Sequence, residues 1–319
     1  MIVGQSPAIR RALALAERFA RTTLPILLVG ATGTGKELFA DFIHRRSGRR
    51  GPLVDVNCGA LPREMVESLL FGHRRGSFTG ASESVQGHVV RSSGGTLFLD
   101  ELATLLLEGQ VKLLRTLDTG AVQALGSTSK ITVDLRIVSA VQAGILRDVE
   151  MGRFRRDLYQ RVAGVVIELP PLLARPEDIV PLSVHFAALR GQRLEPAAER
   201  VLLDYSWPGN VRELRLAIER AGELVEDGVL PAAAMAEGIA LGAPSEDAAH
   251  AATAGRKSKP RRPELQDAER LFLECEAASW NIEKAARGLG VSRASLYRSL
   301  HTLGIQPRTR SLTRNEMRQ

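Results

Sequence analysis

The sequence predicts an α/β domain with a parallel β-sheet, followed by a helical subdomain and a small, basic all-α domain. Near-continuous apolar runs alternate with helical patterns up to about residue 171, and helical periodicity alone continues to about residue 240. The excess positive charge lies in the last fifth of the chain. A length of 319 residues also favours two or three domains over one.

The segment before the first apolar run, residues 1–20, is amphipathic, rich in Arg and poor in acids, as in transit peptides. It continues directly into an apolar run and a glycine-rich pattern, so we expect a folded helix plus a strand in a cytoplasmic protein. The apolar runs that follow have the composition of parallel strands covered by helices on both faces. They are "PILLVG", "PLVDVNC", "TLFLDE", "DLRIVSAV" and "GVVIELP".

The rest of the chain divides by composition. A helical subdomain interrupted by "WPGN" is followed by a segment rich in Ala, Gly, Ser, Pro and basic residues, which is typical of a flexible linker. A compact helical domain and an Arg-bearing tail complete the chain. The predicted boundaries are 1–172 for the α/β part, 173–240 for the helical subdomain, 241–263 for the linker, 264–306 for the last domain and 307–319 for the tail.

Charge separates these parts sharply. Residues 256–319 hold 14 Lys and Arg against 7 Asp and Glu, whereas residues 1–255 hold 29 of each. A neutral domain joined to a basic module is typical of proteins that bind nucleic acid, and a solvated basic tail is the alternative.

The sequence argues against a membrane-spanning protein and against a cysteine-based metal site. No apolar run approaches the roughly 18 residues that a membrane-spanning helix requires, so we expect no membrane association. Cys58 and Cys275 lie far apart without metal-like spacing, which indicates idle thiols in a reducing compartment.

"GATGTGKE" has the spacing of a phosphate-binding loop: two glycines five positions apart, then Lys, between an apolar strand and a helix. Lys36 would reach the β- and γ-phosphates. Glu37 stands where the general pattern has Ser or Thr, so that hydroxyl ligand for Mg²⁺ is missing. A chance glycine-rich turn is the alternative. The nucleotide-binding candidates are Gly30, Ala31, Thr32, Gly33, Thr34, Gly35, Lys36 and Glu37.

A second apolar strand, "GGTLFLDE", ends in two acids 64 residues after Lys36. In a nucleotide hydrolase, Asp100 would hold the metal ion and Glu101 would polarise the attacking water. An ordinary strand end is the alternative, but the pairing with the phosphate loop favours an ATPase site that uses ATP and Mg²⁺.

The residues from Val3 to Arg220, about two thirds of the chain, resemble the AAA+ domain of bacterial enhancer-binding proteins, the activators of sigma-54 RNA polymerase. The resemblance implies an AAA+ P-loop NTPase fold with a helical lid. The matching segments are "VNCGALP", "LLFGHRRGSFTGA", "GGTLFLDE", "QVKLLRTLD", "FRRDLYQRV", "PPLLARPEDI" and "WPGNVREL".

"GSFTGA" resembles the GAFTGA loop that this family presses onto sigma-54. The resemblance implies that ATP-dependent movement raises the loop and that Phe78 and Thr79 make the contact that remodels a closed promoter complex into an open one. Gly76 and Gly80 supply a flexible stem, and Ser77 replaces the family's Ala. A buried turn with a core Phe is the alternative. The contact candidates are Gly76, Ser77, Phe78, Thr79, Gly80 and Ala81.

The resemblance assigns roles to four further residues. Asn57 matches the residue that restrains the catalytic glutamate until the γ-phosphate is sensed. Arg155 and Arg161 match arginine fingers that enter a neighbouring subunit's site, which implies a ring, expected to be a hexamer. Arg212 matches the sensor II arginine that ties the lid to the phosphates.

The sequence departs from the family pattern in three places. Val141 and Gln142 stand where a Thr-Asn pair is usual, although Gln142 still donates and accepts hydrogen bonds near the nucleotide. Val90 and Arg74 replace glutamates, one of which is thought to connect the loop to the nucleotide site. These departures raise the possibility of weakened ATP turnover or of a paralogous partner subunit.

"NIEKAARGLGVSRASLYRSLHTLGI", residues 281–305, has the rhythm of a helix-turn-helix and resembles the Fis-type DNA-binding domain of these activators. The outward face of its second helix carries groups suited to phosphates and base edges in a major groove, and an ordinary helical hairpin is the alternative. The DNA-binding candidates are Ser292, Arg293, Ser295 and Arg298. Two such modules would read a palindromic upstream site in double-stranded DNA.

The sequence thus favours an ATP-driven, DNA-bound activator of the sigma-54 RNA polymerase holoenzyme. A DNA-binding regulator with weak or no ATPase that needs a paralogous partner subunit is the second hypothesis. An AAA+ helicase loader or chaperone, which would not explain "GSFTGA", is the third. Because the resemblance begins at Val3, we expect no receiver or sensor domain in cis. Control would then come from expression level, a trans-acting inhibitor or a co-activator subunit.

Overall fold

The computed structural model describes residues 2–242, and the predicted DNA-binding domain, the tail, Cys275 and most of the predicted linker lie outside the described residues. The longer helices are α1 (Pro7–Ala20), α2 (Lys36–Ser47), α3 (Val66–Phe71), α4 (His88–Arg91), α5 (Leu107–Thr119), α6 (Ile145–Glu150), α7 (Arg156–Val162), α8 (Ile179–Ala188), α9 (Pro196–Asp204), α10 (Asn210–Glu223) and α11 (Ala232–Ala240). The strands are β1 (Ile26–Val29), β2 (Leu53–Asn57), β3 (Gly72–His73), β4 (Val85–Gln86), β5 (Thr96–Asp100), β6 (Ala121–Val122), β7 (Ile131–Thr132), β8 (Arg136–Val141), β9 (Val165–Glu168), β10 (Arg193–Leu194) and β11 (Val229–Leu230).

A five-stranded parallel sheet forms the centre of the α/β part, in the order β2-β5-β8-β1-β9. All six positions of β8 are buried, as expected for a strand with helices on both faces. The five apolar runs identified in the sequence are these five strands, so the predicted parallel sheet is confirmed. Because the strands are parallel, their carboxyl ends meet at one edge.

Alternate residues of the strands serve two separate cores. Leu27 and Leu99 face a core closed by α3, α5 and α7, whereas Leu28 and Phe98 face one closed by α1 and α2. Cys58 is buried beside the first core, and burial raises the pKa of its thiol to about 12. A thiol that stays protonated is unreactive.

The N-terminal segment folds as predicted into a helix and a strand. Ser6 caps α1 by accepting a 3.3 Å hydrogen bond from the Ile9 amide, and Pro7 occupies the first turn, where its missing N–H is not needed. The buried face of α1 consists of Ile9 and three alanines, so the helix lies close to α2.

The helical subdomain packs α8–α11 around Trp207, whose indole N–H donates a 2.8 Å hydrogen bond to the Leu202 carbonyl. The prediction of a purely helical subdomain was incomplete, because β10 and β11 form a short parallel pair. Two residues per strand are too few to produce a recognisable sequence pattern. Between residues 2 and 242, every helix is too short or too polar to cross a membrane.

Candidate active site

The phosphate-loop pattern forms a tight turn between β1 and α2. Gly33 and Gly35 have φ values of 78° and 102°, a region that residues with a Cβ rarely adopt. Space around Gly35 is open, so this position requires glycine for its backbone angle alone. The turn delivers the N-terminus of α2 to the carboxyl edge of the sheet, where helix N–H groups favour an anion.

Lys36 lies under this turn. Its Nζ donates 3.0 Å hydrogen bonds to the carbonyl oxygens of Gly30 and Ala31. Burial lowers the pKa of Lys36, and the nearby carboxylates of Asp100 and Glu101 oppose that shift. Lys36 and the two acids line the same cavity.

The acids end β5, and Asn57 lies in register with Asp100 on the neighbouring strand β2. Glu101 has a φ of 51°, and its amide donates a 2.9 Å hydrogen bond to Oδ1 of Asp100. A non-glycine residue in the left-handed region is energetically costly and is found disproportionately at functional sites. This backbone turns Glu101 out of the strand at the edge of the sheet.

Asn57 uses its side-chain oxygen locally. Oδ1 accepts hydrogen bonds from the amides of Gly59 (2.8 Å) and Ala60 (3.1 Å), while the Glu101 carboxylate lies against Gly59. Within residues 2–242, no hydrogen bond joins Asn57 to Glu101. The two residues share the same cavity, so the restraining role remains a prediction.

The lid meets the phosphate loop directly. The amides of Val211 and Arg212, at the start of α10, donate to the Gly33 carbonyl at 2.9 and 3.3 Å. Nδ2 of Asn210 donates a 3.0 Å hydrogen bond to the Thr32 carbonyl. Nη2 of Arg212 lies 3.6 Å from Oε1 of Glu37. Sequence reasoning missed Asn210, although "WPGN" marked a turn, because its partners lie 38 and 178 residues away.

Gln142 also joins the site, at the end of β8. Its Nε2 lies 3.4 Å from Oγ1 of Thr32, so the departure from the family pattern keeps an amide beside the phosphate loop. Val90, by contrast, packs partly buried against the core. Arg74 lies on the surface with Nη2 3.4 Å from Oγ of Ser129.

These elements enclose a cavity of about 340 Å³. The predicted residues that line it are Thr32, Gly33, Gly35, Lys36, Glu37, Asn57, Asp100, Glu101, Gln142 and Arg212. Gly30, Ala31 and Thr34 support the loop from below, since their groups bond Lys36 or each other. An adjoining cavity of about 210 Å³ has a largely apolar wall that includes Leu38 and Phe186. The sequence analysis missed both of these residues.

The cavity suits a nucleotide with a magnesium ion. Among the described residues, no group of three or more His, Cys, Asp or Glu side chains is placed to hold a metal by itself. Mg²⁺ usually takes one or two carboxylates together with phosphate oxygens and water. Asp100 and Glu101 beside a phosphate loop satisfy that requirement.

Gly33 offers a test of the contact between lid and phosphate loop. A Cβ at Gly33 would overlap the Gly209 carbonyl oxygen, and its φ is 78°. We expect Gly33→Ala to lose nucleotide binding and to lower the free energy of unfolding by about 1–3 kcal/mol more than Gly48→Ala. Gly48 is a matched control because its φ is 76° and its surroundings are open. Equal effects of both substitutions, measured by urea unfolding and nucleotide titration, would contradict the contact.

Arg155 and Arg161 do not line either of these two cavities in their own chain. The Arg155 guanidinium is half-exposed and pairs with both carboxylate oxygens of Asp157, at 3.0 and 2.7 Å. Arg161 donates to the Leu117 carbonyl at 2.7 Å and lies 3.2 Å from Oδ1 of Asp118. Both side chains are therefore available at the surface of α7 rather than in the site.

The "GSFTGA" segment tops a β-hairpin whose stem is β3 and β4. Gly76 and Gly80 have φ values of 79° and 97°, and the Gly76 amide donates to the Ala81 carbonyl at 2.9 Å. Phe78 is 43% exposed and contacts His73 edge-on, with ring centroids 5.1 Å apart. The alternative of a buried turn with a core Phe is wrong, since Phe78 is an exposed residue.

A second hairpin, made by β6 and β7, supports this loop. Its Leu125 exchanges backbone hydrogen bonds with the stem, donating to Gly72 and accepting from Arg74. Ser77 lies against Gly126. Sequence reasoning missed this support because it joins segments about 50 residues apart.

Comparison with known proteins agrees with this geometry. Residues 2–168 match the family described as the sigma-54 interaction domain, and residues 174–252 match the AAA+ ATPase lid domain. The transcriptional regulatory protein ZraR of Klebsiella oxytoca is 39% identical over 94% of this chain and 68% of its own length. The nitric oxide reductase transcription regulator NorR1 of Cupriavidus necator is 42% identical over 95% of this chain and 63% of its own length.

Solved structures of similar fold include AAA+ proteins related to this chain to different degrees. NtrX from Brucella abortus in complex with ATP is 32% identical, with a TM-score of 0.67, over 95% of this chain and 69% of that protein. The Thermotoga maritima RuvB motor shares only 16% identity with a TM-score of 0.50, which supports the fold alone. The chain spans about two thirds of the length of these curated relatives. Because the sigma-54 interaction match covers just over half of the chain, the protein belongs to the sigma-54 interaction family of AAA+ ATPases.

Proposed function

We propose that this protein is a cytoplasmic, sigma-54-dependent transcriptional activator that hydrolyses ATP to remodel the sigma-54 RNA polymerase holoenzyme. The observation that carries the proposal is the meeting of Lys36, Asp100, Glu101 and Arg212 around one cavity. The same chain belongs to a family defined by sigma-54 interaction and presents an exposed Phe on a hairpin. Relatives are named as transcriptional regulators, which supports the same function.

The site residues take distinct roles toward ATP and Mg²⁺. Lys36 and the N-terminus of α2 neutralise the phosphates. Asp100 would hold Mg²⁺, which when bound would offset charge on the transferring phosphoryl group. Glu101 orients the attacking water, and Gln142 donates to the phosphates from the end of β8. The adjoining apolar cavity accommodates the base, between Leu38 and Phe186.

The remaining assignments complete the proposal. Arg155 and Arg161 act on a neighbouring subunit's nucleotide, which requires a ring, and the expected ring is a hexamer. Phe78 and Thr79 contact sigma-54. The domain after the linker binds upstream double-stranded DNA through Ser292, Arg293, Ser295 and Arg298.

A regulator with weak or no ATPase was the second hypothesis. Two observations speak against it. Gln142 contacts Thr32, so the departure at this position still leaves a hydrogen-bonding side chain beside the phosphate loop. Val90 packs against the core and does not line the cavity, so an apolar side chain at this position does not deprive the cavity of a polar group.

The proposal predicts that Glu101→Gln binds ATP but hydrolyses it about 10²–10⁴-fold more slowly, because the amide cannot accept a proton from the attacking water. Steady-state phosphate release and fluorescent nucleotide titration measure the two properties. Glu168→Gln is the matched control, since Glu168 also ends a strand of the same sheet but does not line the cavity. A wild-type protein that neither binds nor hydrolyses ATP at high concentration would overturn the proposal.

A further inference from the structure

A buried ionic network connects three separate parts of the chain at the base of the site. Asp178, at the start of the lid, is fully buried. Its Oδ1 accepts hydrogen bonds from the amides of Gln5 and Ser6, and its Oδ2 accepts one from the Ser6 hydroxyl at 2.7 Å. The carboxylate thus fastens the segment before α1 to the lid.

Arg175 extends the network to the phosphate loop. It is 2% exposed, and its Nη1 lies 3.7 Å from Oδ2 of Asp178. Its Nη2 donates a 3.2 Å hydrogen bond to the Thr34 carbonyl, 141 residues away in sequence. A charge buried this deeply is costly unless it is paired, so the arrangement of all three segments depends on the pair.

The Thr34 carbonyl controls the direction of the next amide. In a trans peptide the C=O and the following N–H point in opposite directions, so holding the Thr34 oxygen against Arg175 turns the Gly35 N–H away from it. Gly35 lines the nucleotide cavity. Because glycine tolerates a wide range of backbone angles, residue 35, with its φ of 102°, does not by itself fix the orientation of this peptide.

We propose that Arg175 and Asp178 are positioning residues that orient the Thr34–Gly35 peptide toward bound phosphate and couple that orientation to the lid and to the segment before α1. The inference rests on the proposed binding of ATP. It implies that a shift in the position of Gln5 or Ser6 would alter the phosphate loop, because Asp178 and Arg175 link the two segments. Arg175 lines the adjoining apolar cavity but not the cavity that contains Lys36, and Asp178 lines neither.

The test compares two buried arginines in the full chain. Arg175→Met is expected to weaken binding of fluorescent N-methylanthraniloyl-ADP by about tenfold or more, from the loss of a hydrogen bond to a charged group. The KM for ATP should rise similarly, with kcat at saturating ATP largely retained. Arg136→Met is the matched control: Arg136 is also 2% exposed and bonds a backbone carbonyl, that of Phe19, but it begins β8 at the opposite edge of the sheet.

Three further variants keep the test decisive if Arg175→Met does not fold. Arg175→Lys retains the charge and one donor, so it should recover part of the affinity. Asp178→Asn and Ser6→Ala should each weaken binding in the same direction by smaller factors. Wild-type nucleotide affinity in the Arg175 and Asp178 variants would overturn this inference but not the proposed function. An equal loss of affinity in Arg136→Met, at a matched loss of Tm, would do the same. A wild-type chain that binds no nucleotide would overturn the proposed function and this inference together.

Discussion

Arg155→Ala will reduce steady-state ATP turnover by about 10³-fold or more while leaving nucleotide affinity nearly unchanged. The reason is that Arg155 lies on the surface of its own subunit, held by Asp157, and does not line the cavity that would bind ATP. In the proposed ring, it would act where another copy of the chain places a nucleotide beside α7. Its guanidinium would then offset the charge that develops on the phosphoryl oxygens in the transition state.

The measurement is phosphate release per subunit as a function of protein concentration. For the wild type, the rate per subunit should rise with concentration and reach a plateau as rings assemble. Arg153→Ala is the matched control, because Arg153 is a neighbouring exposed arginine that also pairs with a carboxylate, that of Asp148. A rate independent of concentration, or an equal loss in both variants, would contradict action in trans. Activity restored by mixing Arg155→Ala with Glu101→Gln subunits would support it further.

Local patterns predicted most of the nucleotide site. Apolar runs of five or six residues identify strands such as β5 and β8. A strand buried on both faces is apolar at nearly every position, so its sequence forms an almost uninterrupted apolar run. The phosphate loop is recognisable for a similar reason, since its glycines are required at φ values that other residues avoid. Lys36, Asp100 and Glu101 then follow from their places at the ends of these elements.

Long-range contacts escaped prediction. The contact of Arg175 with Thr34 and that of Asn210 with Thr32 span 141 and 178 residues, and a polar residue in a turn gives no sign of its distant partner. These polar contacts determine how the lid meets the phosphate loop. The arrangement of the lid on the loop therefore could not be predicted from local sequence patterns.

Phe78→Ala will abolish open-complex formation at a sigma-54 promoter while ATP turnover stays near the wild-type rate. Phe78 projects from a hairpin that contains no residue of the nucleotide cavity, so its removal leaves the ATPase groups in place. An aromatic side chain that anchors an interface typically contributes about 2–4 kcal/mol or more to binding. Since Phe78 is already 43% exposed, we expect truncation to cost the free protein little stability.

The assay combines promoter opening, followed by permanganate reactivity of unstacked thymines, with phosphate release in the same reaction. Leu189→Ala is the matched control, because Leu189 is an even more exposed apolar side chain, at 71%, on the lid. Phe78→Tyr should retain part of the activity, since the ring keeps its apolar faces and its edge contact with His73. Parallel loss of ATP turnover and promoter opening in Phe78→Ala would instead place the residue in ring assembly. Loss of opening alone would show that the loop converts ATP hydrolysis into remodelling, because the motor would then turn over without acting on the polymerase.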